Sequence, residues 1–277
     1  MELIASARFK KAMDRASAAT AYTKRITKLV SDLAQSGLEV SHPLLEPREK
    51  PGRTILLVIT GNRGLCGGYN SNVFRQAWAR YNELKSEVSQ VDLEISGKRG
   101  ITAFKYRGLT GVNSYTHFED KPAFGEVDVL ATRYLDEFVT GALDRLDVAY
   151  TRFEGISRQT AVVETLLPLA SLSVDGAQKK PADATKQSGG EMMYEFLPSA
   201  KSILEEVVPT SFKVKLFKCF LDSAVSEQIA RKLAMKSATD NADKLIKSLS
   251  TTYNRARQSQ ITGEIMEVIG GVEALKG

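Results

Sequence analysis

Nowhere in its 277 residues does the chain carry a run of roughly 18 apolar residues, so nothing in it has the length and hydrophobicity of a membrane span. Its N-terminus is basic and amphipathic and lacks the apolar stretch of a signal peptide, so the polypeptide is expected to stay where it is made unless a segment precedes it. Cysteine is nearly missing. Cys66 and Cys219 lie far apart, build no disulfide framework and form no C-x-x-C motif, which leaves free thiols in a reducing compartment as the expectation. Histidine is equally scarce. His42 precedes a proline and His117 falls in a strand candidate, and neither has a cysteine or carboxylate at metal-ligand spacing, so both read as scaffold. No G-x-S-x-G occurs, and no serine has a supported base. The expectation is no catalytic centre, no metal and no cofactor.

Proline is absent from Thr210 to Gly277, and the pattern there is helical throughout. If residues 211–272 form one helix, its length at helical rise is roughly 93 Å. A helix of that size is not held by backbone propensity and must bury a seam against another helix or a partner, so mechanics becomes a candidate function before chemistry does. Its apolar face starts with Phe212, Leu216, Phe217, Phe220 and Leu221, thins over 234–243, and resumes with Leu245, Leu249, Thr252, Ala256, Ile261, Ile265, Val268 and Ile269. The first 36 residues lack both proline and glycine. There Met1, Ala5, Phe9, Ala12, Ala16, Ala19, Ile26, Leu29 and Leu33 recur mostly at steps of three and four, an alanine-rich stripe that lets a neighbouring backbone come close.

With 43% hydrophobic and 26% charged residues the chain suits one or two domains with a real core. Its net charge of +5 is unevenly spread: residues 1–36 carry seven Lys/Arg against three Asp/Glu, and 213–277 carry eleven against seven, so the ends sum to +8 and the middle to −3. The basic charge belongs to the helical arms, which calls for an acidic or amphiphilic partner more than for nucleic acid. Between the arms, Gly37, His42–Pro43, Pro47 and Pro51–Gly52 mark a connector, and Thr54–Thr60 (TILLVIT) reads as a strand covered on both faces. Further strands are expected at Val91–Ser96, Val112–Phe118, Asp147–Phe153 and Gln159–Leu167, with helices near Asn70–Glu87, Arg99–Tyr106 and Val127–Leu143. Strand and helix alternate, giving a small α/β sandwich with a mostly parallel sheet. The polar stretch 174–190 reads as a surface loop, and a short helix at Ser199–Val207 leads through Pro209 into the long one.

The glycine-rich segment Gly61–Gly68 follows the first strand, where such loops can cradle phosphates. Yet neither G-x-x-x-x-G-K-[ST] nor G-x-G-x-x-G can be written across it, so the glycines read as shaping a tight strand-to-helix turn. In the long helix, Ser237, Thr239, Asp240 and Asn241 admit two readings: an exposed face of low helix propensity, or polar contacts to a partner beside the small residues Ala234, Ala238 and Ala242. The cluster Arg255, Arg257, Gln258 and Gln260 is either solvated or presents donors to acidic loops of a surrounding protein.

Three segments resemble the gamma subunit of F-type ATP synthases: Arg63–Asn72 (RGLCGGYNSN), Ala234–Ala242 (AMKSATDNA) and Tyr253–Gly271 (YNRARQSQITGEIMEVIGG), with Met1–Arg8 (MELIASAR) similar to the family's first helix. The resemblance extends over essentially the whole chain. It implies an α/β fold plus a long antiparallel coiled coil, with a Rossmann-like domain at 53–170 inserted between an N-terminal helix at 1–36 and a C-terminal helix at 210–277, and a flexible loop at 174–190. It implies a central-stalk rotor coupling ion flow through the membrane c-ring to ATP synthesis or hydrolysis, not an enzyme on its own. Its partners would be the alpha, beta and epsilon subunits and the c-ring, and its location peripheral, on the cytoplasmic face of the inner or plasma membrane. By the same resemblance Arg257, Gln258 and Thr262 match the cluster that contacts a loop of the beta subunit. Two departures stand out. The family usually has a further basic helical stretch before the position of Met1, so this first arm spans only about 54 Å, and the true start lies upstream or the subunit is a shortened variant. The lysine-rich loop has no assigned role, and the cysteine-bearing insert of the chloroplast form is not evident. The alternatives from the residues alone are a coiled-coil adaptor and a Rossmann-domain nucleotide-binding protein.

Overall fold

The computed structural model describes residues 5–7, 9–14, 16, 25, 43–46, 48, 51–118, 121–169 and 200–275. Within them the chain forms α1 (helical at residues 5–7, 9–14 and 16). It continues through β1 (Arg53–Ile59), α2 (Tyr69–Glu87), β2 (Gln90–Ser96), α3 (Lys98–Tyr106), β3 (Asn113–Tyr115), α4 (Phe124–Val139), β4 (Arg145–Gly155), β5 (Arg158–Leu167) and α5 (Ala200–Ala274). The expected loop at 174–190 and most of the expected helix at 1–36 lie outside the described residues, as does His42.

The strands form one sheet in the order β3-β2-β1-β4-β5. β1 pairs in parallel with both β2 and β4, and only β5 runs antiparallel, as the return strand of a hairpin from β4. Apolar residues run continuously along β1 because both of its faces are covered. Ile55, Leu57 and Ile59 face a core shared with Tyr134 and Phe138 of α4 and with Phe212, Leu216 and Phe220 of α5. Leu56 and Val58 face a second core with Val73, Ala77 and Leu84 of α2 and Phe104 of α3.

β2 carries charge where a covered strand should be apolar. Leu93 and Ile95 join the second core, and the intervening Glu94 points the other way and is 2% exposed. Its carboxylate accepts hydrogen bonds from Asn113 Nδ2 (2.9 Å), the Tyr115 hydroxyl (2.8 Å), the Tyr134 hydroxyl (2.7 Å) and the Arg133 guanidinium (2.6 Å). Burial alone pushes this carboxyl up, but the bonds from Tyr134, Arg133, Asn113 and Tyr115 together outweigh it and hold it below its ordinary value. Glu94 thereby ties β3 and α4 to β2.

Three expected elements change in substance. The strand at Val112–Phe118 shrinks to Asn113–Tyr115, because Asn62 Nδ2 captures the carbonyls of Thr116 and Phe118, and Phe118 turns in to meet Phe220 at 4.6 Å. The helix at Val127–Leu143 starts at Phe124 and stops at Val139, where the Thr140 N–H and hydroxyl both fold back on Asp136 O. The separate short helix before Pro209 does not exist. α5 begins at Ala200 and runs 75 residues, about 112 Å at helical rise, with Pro209 inside it. A proline removes one helical hydrogen bond and crowds the preceding turn. Here that turn carries the exposed Glu205 and Glu206, the Thr210 hydroxyl bonds Glu206 O at 2.8 Å, and fully buried Val208 and Phe212 pin the helix on both sides of the ring.

Candidate functional site at the join of sheet and long helix

The strand order fixes where a ligand or partner should be sought. From β1 the chain steps outward to β2 and β3, then returns to the other side of β1 for β4, so the order reverses between β1 and β4. In open α/β sheets the crevice at the carboxyl ends of the strands beside such a reversal is the usual binding place. Here α5 lies in it.

The Gly61–Gly68 loop closes on itself. The Gly61 N–H donates to Asn70 Oδ1 at 2.9 Å, the Lys98 N–H donates to Asn62 Oδ1 at 3.0 Å, and the Tyr69 N–H donates to Cys66 O at 3.2 Å. α5 then seals its first residue: a Cβ on Gly61 would lie 2.7 Å from Glu227 Oε1. Only glycine lets the helix come this near. The segment has the geometry of a turn moulded to a helix, which supplies the physical reason for its glycines at the Gly61 end.

On the α5 side every residue from 219 to 229 is buried. The sheet and α4 cover one face through Phe212, Leu216, Cys219 and Phe220, while Ala12 and Ala16 of α1 pack with Leu221, Val225 and Ile229 on another. The charged groups in this stretch are partnered with specific neighbours. Lys218 Nζ donates to Asp222 Oδ2 at 2.6 Å, and the Phe153 N–H also bonds the Asp222 carboxylate, yet burial still raises that carboxyl above its ordinary value. Arg231 pairs with Glu227, and the Tyr69 phenol is pushed far up by burial and next by the Glu227 charge. Both thiols are free and buried; burial raises Cys66 and pushes Cys219 up to about 12. Both ion pairs join residues four apart within α5, so they neutralise charge that the helix itself carries into the join, and its grip on the sheet comes from the apolar packing and the Gly61–Glu227 contact.

Beyond the join the helix changes character. Every residue from 236 to 275 is exposed. Ile261, Ile265, Val268, Val272 and Leu275 follow alternating steps of four and three, a heptad-like seam left open to solvent among the described residues. Asp240 and Asn241 lie on this exposed stretch, as do the three residues carried by the resemblance. Gln258 and Thr262 are one turn apart, joined by the Thr262 hydroxyl donating to Gln258 O at 2.9 Å, whereas Arg257 sits about 100° around the helix from Gln258. None of the three approaches the join. Conversely, the sequence reading passed over Asp222, Ser223, Ser226 and Glu227. The available signal was four polar residues on adjacent helical positions inside a densely apolar stretch. Among the described residues no group of three or more His, Cys, Asp or Glu could hold a metal, and no helix is long and apolar enough to cross a membrane.

Comparison with known proteins decides what such a clamped rod belongs to. A family model described as ATP synthase matches residues 1–275. The ATP synthase gamma chain of Rhodopirellula baltica is 60% identical over 277 residues, covering 100% of this chain and 92% of that one. The chain belongs to the ATP synthase gamma-chain family. The gamma chain of Leptospira biflexa (strain Patoc 1 / Ames) is 37% identical over 275 residues, covering 99% of this chain and 92% of its own. Among solved structures, a Tetrahymena thermophila mitochondrial ATP synthase central stalk and c-ring structure matches with a TM-score of 0.57 at 17% identity, covering 86% of this chain and 97% of that one. A Euglena gracilis mitochondrial ATP synthase structure in rotational state 3 matches with a TM-score of 0.56 at 20% identity, covering 98% and 95%. At such identities the structural likeness speaks for the fold. Family membership makes the chain a rotor component of the synthase's central stalk, one that leaves catalysis to other subunits.

Proposed function

We propose that the chain is a torque-bearing shaft whose α/β domain forms the foot and whose α5 forms the rod. The observation that carries this reading is the reversal of burial along α5: clamped on all sides over 219–229, bare from 236 to 275. A rod that must turn inside a ring needs a join that does not slip and a surface free to meet each ring member in turn. The distal helix also presents large apolar side chains such as Leu245, Leu249 and Ile269 to solvent, which calls for a surrounding partner.

In the full reading the N-terminal helix pairs antiparallel with α5 as a coiled coil; the packing of Ala12 and Ala16 on Leu221, Val225 and Ile229 supports the start of that pairing. The rod stands in a ring of alpha and beta subunits, with the foot on the membrane c-ring beside epsilon, on the cytoplasmic face. Arg257, Gln258 and Thr262 meet a loop of the beta subunit, Arg257 gripping a carboxylate and the other two supplying hydrogen bonds. Their exposure on the distal rod is compatible with this role. Each beta subunit then responds to the shaft because the contacts differ between its states, the only means by which rotation biases a distant site.

The test is reconstitution of the synthase with Arg257→Ala and Gln258→Ala shafts. Copurification with alpha, beta and epsilon should persist while the ATPase rate falls several-fold. Full-rate hydrolysis by both variants would remove these residues from the contact, and full-rate hydrolysis by a complex assembled without the chain would remove the shaft reading itself.

A further inference from the structure

At the other end of the glycine loop from Gly61 the join is open. A cavity of about 290 Å³ lies between the loop (Gly67, Gly68), the start of α2, β4 and β5 (Thr151, Gln159) and α5 (Ser226, Leu233). One bound water takes a share of roughly 30 Å³, so the space exceeds what a single bridging water fills. A Cβ added to Gly67 would meet nothing within 4 Å, which places open space directly against the backbone there.

The polar side chains around this cavity are neutral groups able to donate as well as accept. Thr151 is 5% exposed and Ser226 1% exposed, and the hydroxyls of both are buried without a hydrogen-bond partner. Buried polar groups are rarely left so, and each costs free energy until something accepts its proton. Gly67 has φ +54, a left-handed backbone that turns the loop into α2, and with the Tyr69 N–H taken by Cys66 O the backbone of Gly67 and Gly68 is what the loop presents to the cavity. α2 starts at this point with no side-chain cap and no acidic residue in its first turn, so its positive end is uncompensated from within. Among the described residues no Lys, Arg, Asp or Glu lines the cavity. The nearest charges on α5, Glu227 and Arg231, are paired with each other.

We propose that this cavity binds a compact oxyanion, the phosphoryl group of inorganic phosphate or of a nucleotide, held by the Thr151 and Ser226 hydroxyls and the backbone amides of Gly67 and Gly68 just ahead of α2. The idea does not depend on the shaft reading. Because the lining comes from the loop, the sheet and α5 together, an occupant would bridge foot and rod and stabilise their join.

The test is calorimetric titration of the full chain with inorganic phosphate, with ADP, and with sodium chloride at matched ionic strength. Saturable binding of inorganic phosphate with one site per chain is expected, weakened about tenfold or more by Thr151→Val with Ser226→Ala, the loss anticipated when hydrogen bonds to an anion are removed. Folding of that variant is checked by its melting curve without phosphate. If it does not fold, Ala161→Leu, which narrows the cavity without touching the hydroxyls, should weaken binding in the same way. Tighter binding of ADP than of phosphate would assign the phosphoryl group to a nucleotide. Heats equal to those of chloride, or binding unchanged in the variants, would overturn the proposal.

Discussion

Substituting Gly61 with alanine isolates the contact that seals the join. Gly61 is not among the glycines with positive φ, so an alanine there suffers no backbone strain and its effect is the contact alone. The added methyl would lie 2.7 Å from Glu227 Oε1, 2.8 Å from its Cδ and 3.0 Å from Oε2. The carboxylate must swing away and leave Arg231, and the two side chains are only 10% and 12% exposed, so water restores little of what is lost. Breaking one charge-assisted hydrogen bond in such a setting costs about 1.5–3 kcal/mol. Urea unfolding of the full chain should register that loss as a lower midpoint at unchanged slope.

Two comparisons make the reasoning refutable. Gly64→Ala places its methyl 2.9 Å from a guanidinium nitrogen of Arg99, an exposed and flexible group, so it should fall within about 0.5 kcal/mol of the parent. In a Glu227→Ala background the obstacle is gone, and Gly61→Ala should then cost almost nothing, a coupling that non-additivity in a mutant cycle exposes. A Gly61→Ala protein as stable as the parent, or one whose loss persists without Glu227, would show that α5 does not rest on the loop as described.

Other consequences follow from the same packing. Glu94→Gln replaces a carboxylate that accepts from four side chains with an amide that must aim donors at donors, and should cost about 2–4 kcal/mol at neutral pH by urea unfolding. Because the Glu94 carboxyl is held below its ordinary 4.5, its stabilisation is fully present above that pH and fades as pH falls through the lower folded value, so the gap between parent and variant should close in acid. An unchanged gap down to low pH would refute the assignment. Pro209→Ala restores a helical hydrogen bond inside α5 and should stabilise by about 2 kcal/mol, read as a higher melting temperature; a drop would mean that the proline shapes the helix entry.

Several parts of this fold were plain in the residues and others were not. Thr54–Thr60 announces a central strand because both faces are apolar, and the strand-helix alternation announces the sheet around it. Glu94 was invisible as a core residue, since its partners Tyr115, Arg133 and Tyr134 come from elements brought together only by β2–β3 pairing and by α4. Pro209 misled for a physical reason. Local rules weigh the missing amide, whereas the anchoring by Val208 and Phe212 is tertiary. The glycine turn was legible as a turn, but its tenant was not, because Glu227 lies far along the chain and looks like any helical glutamate. The assignment of Arg257, Gln258 and Thr262 as a contact site rests on resemblance alone. Nothing in the isolated chain distinguishes them from neighbouring exposed polar groups.

The central claim is that foot and rod turn as one body. Both native thiols are buried, so Ile156→Cys, in the exposed turn between β4 and β5, offers a selective attachment point on the foot. With the ring of the reconstituted complex fixed to a surface and a probe on that cysteine, ATP should drive continuous rotation in one direction, at a rate that tracks hydrolysis. A foot that stays still or wanders at random while the ring hydrolyses ATP would contradict the account.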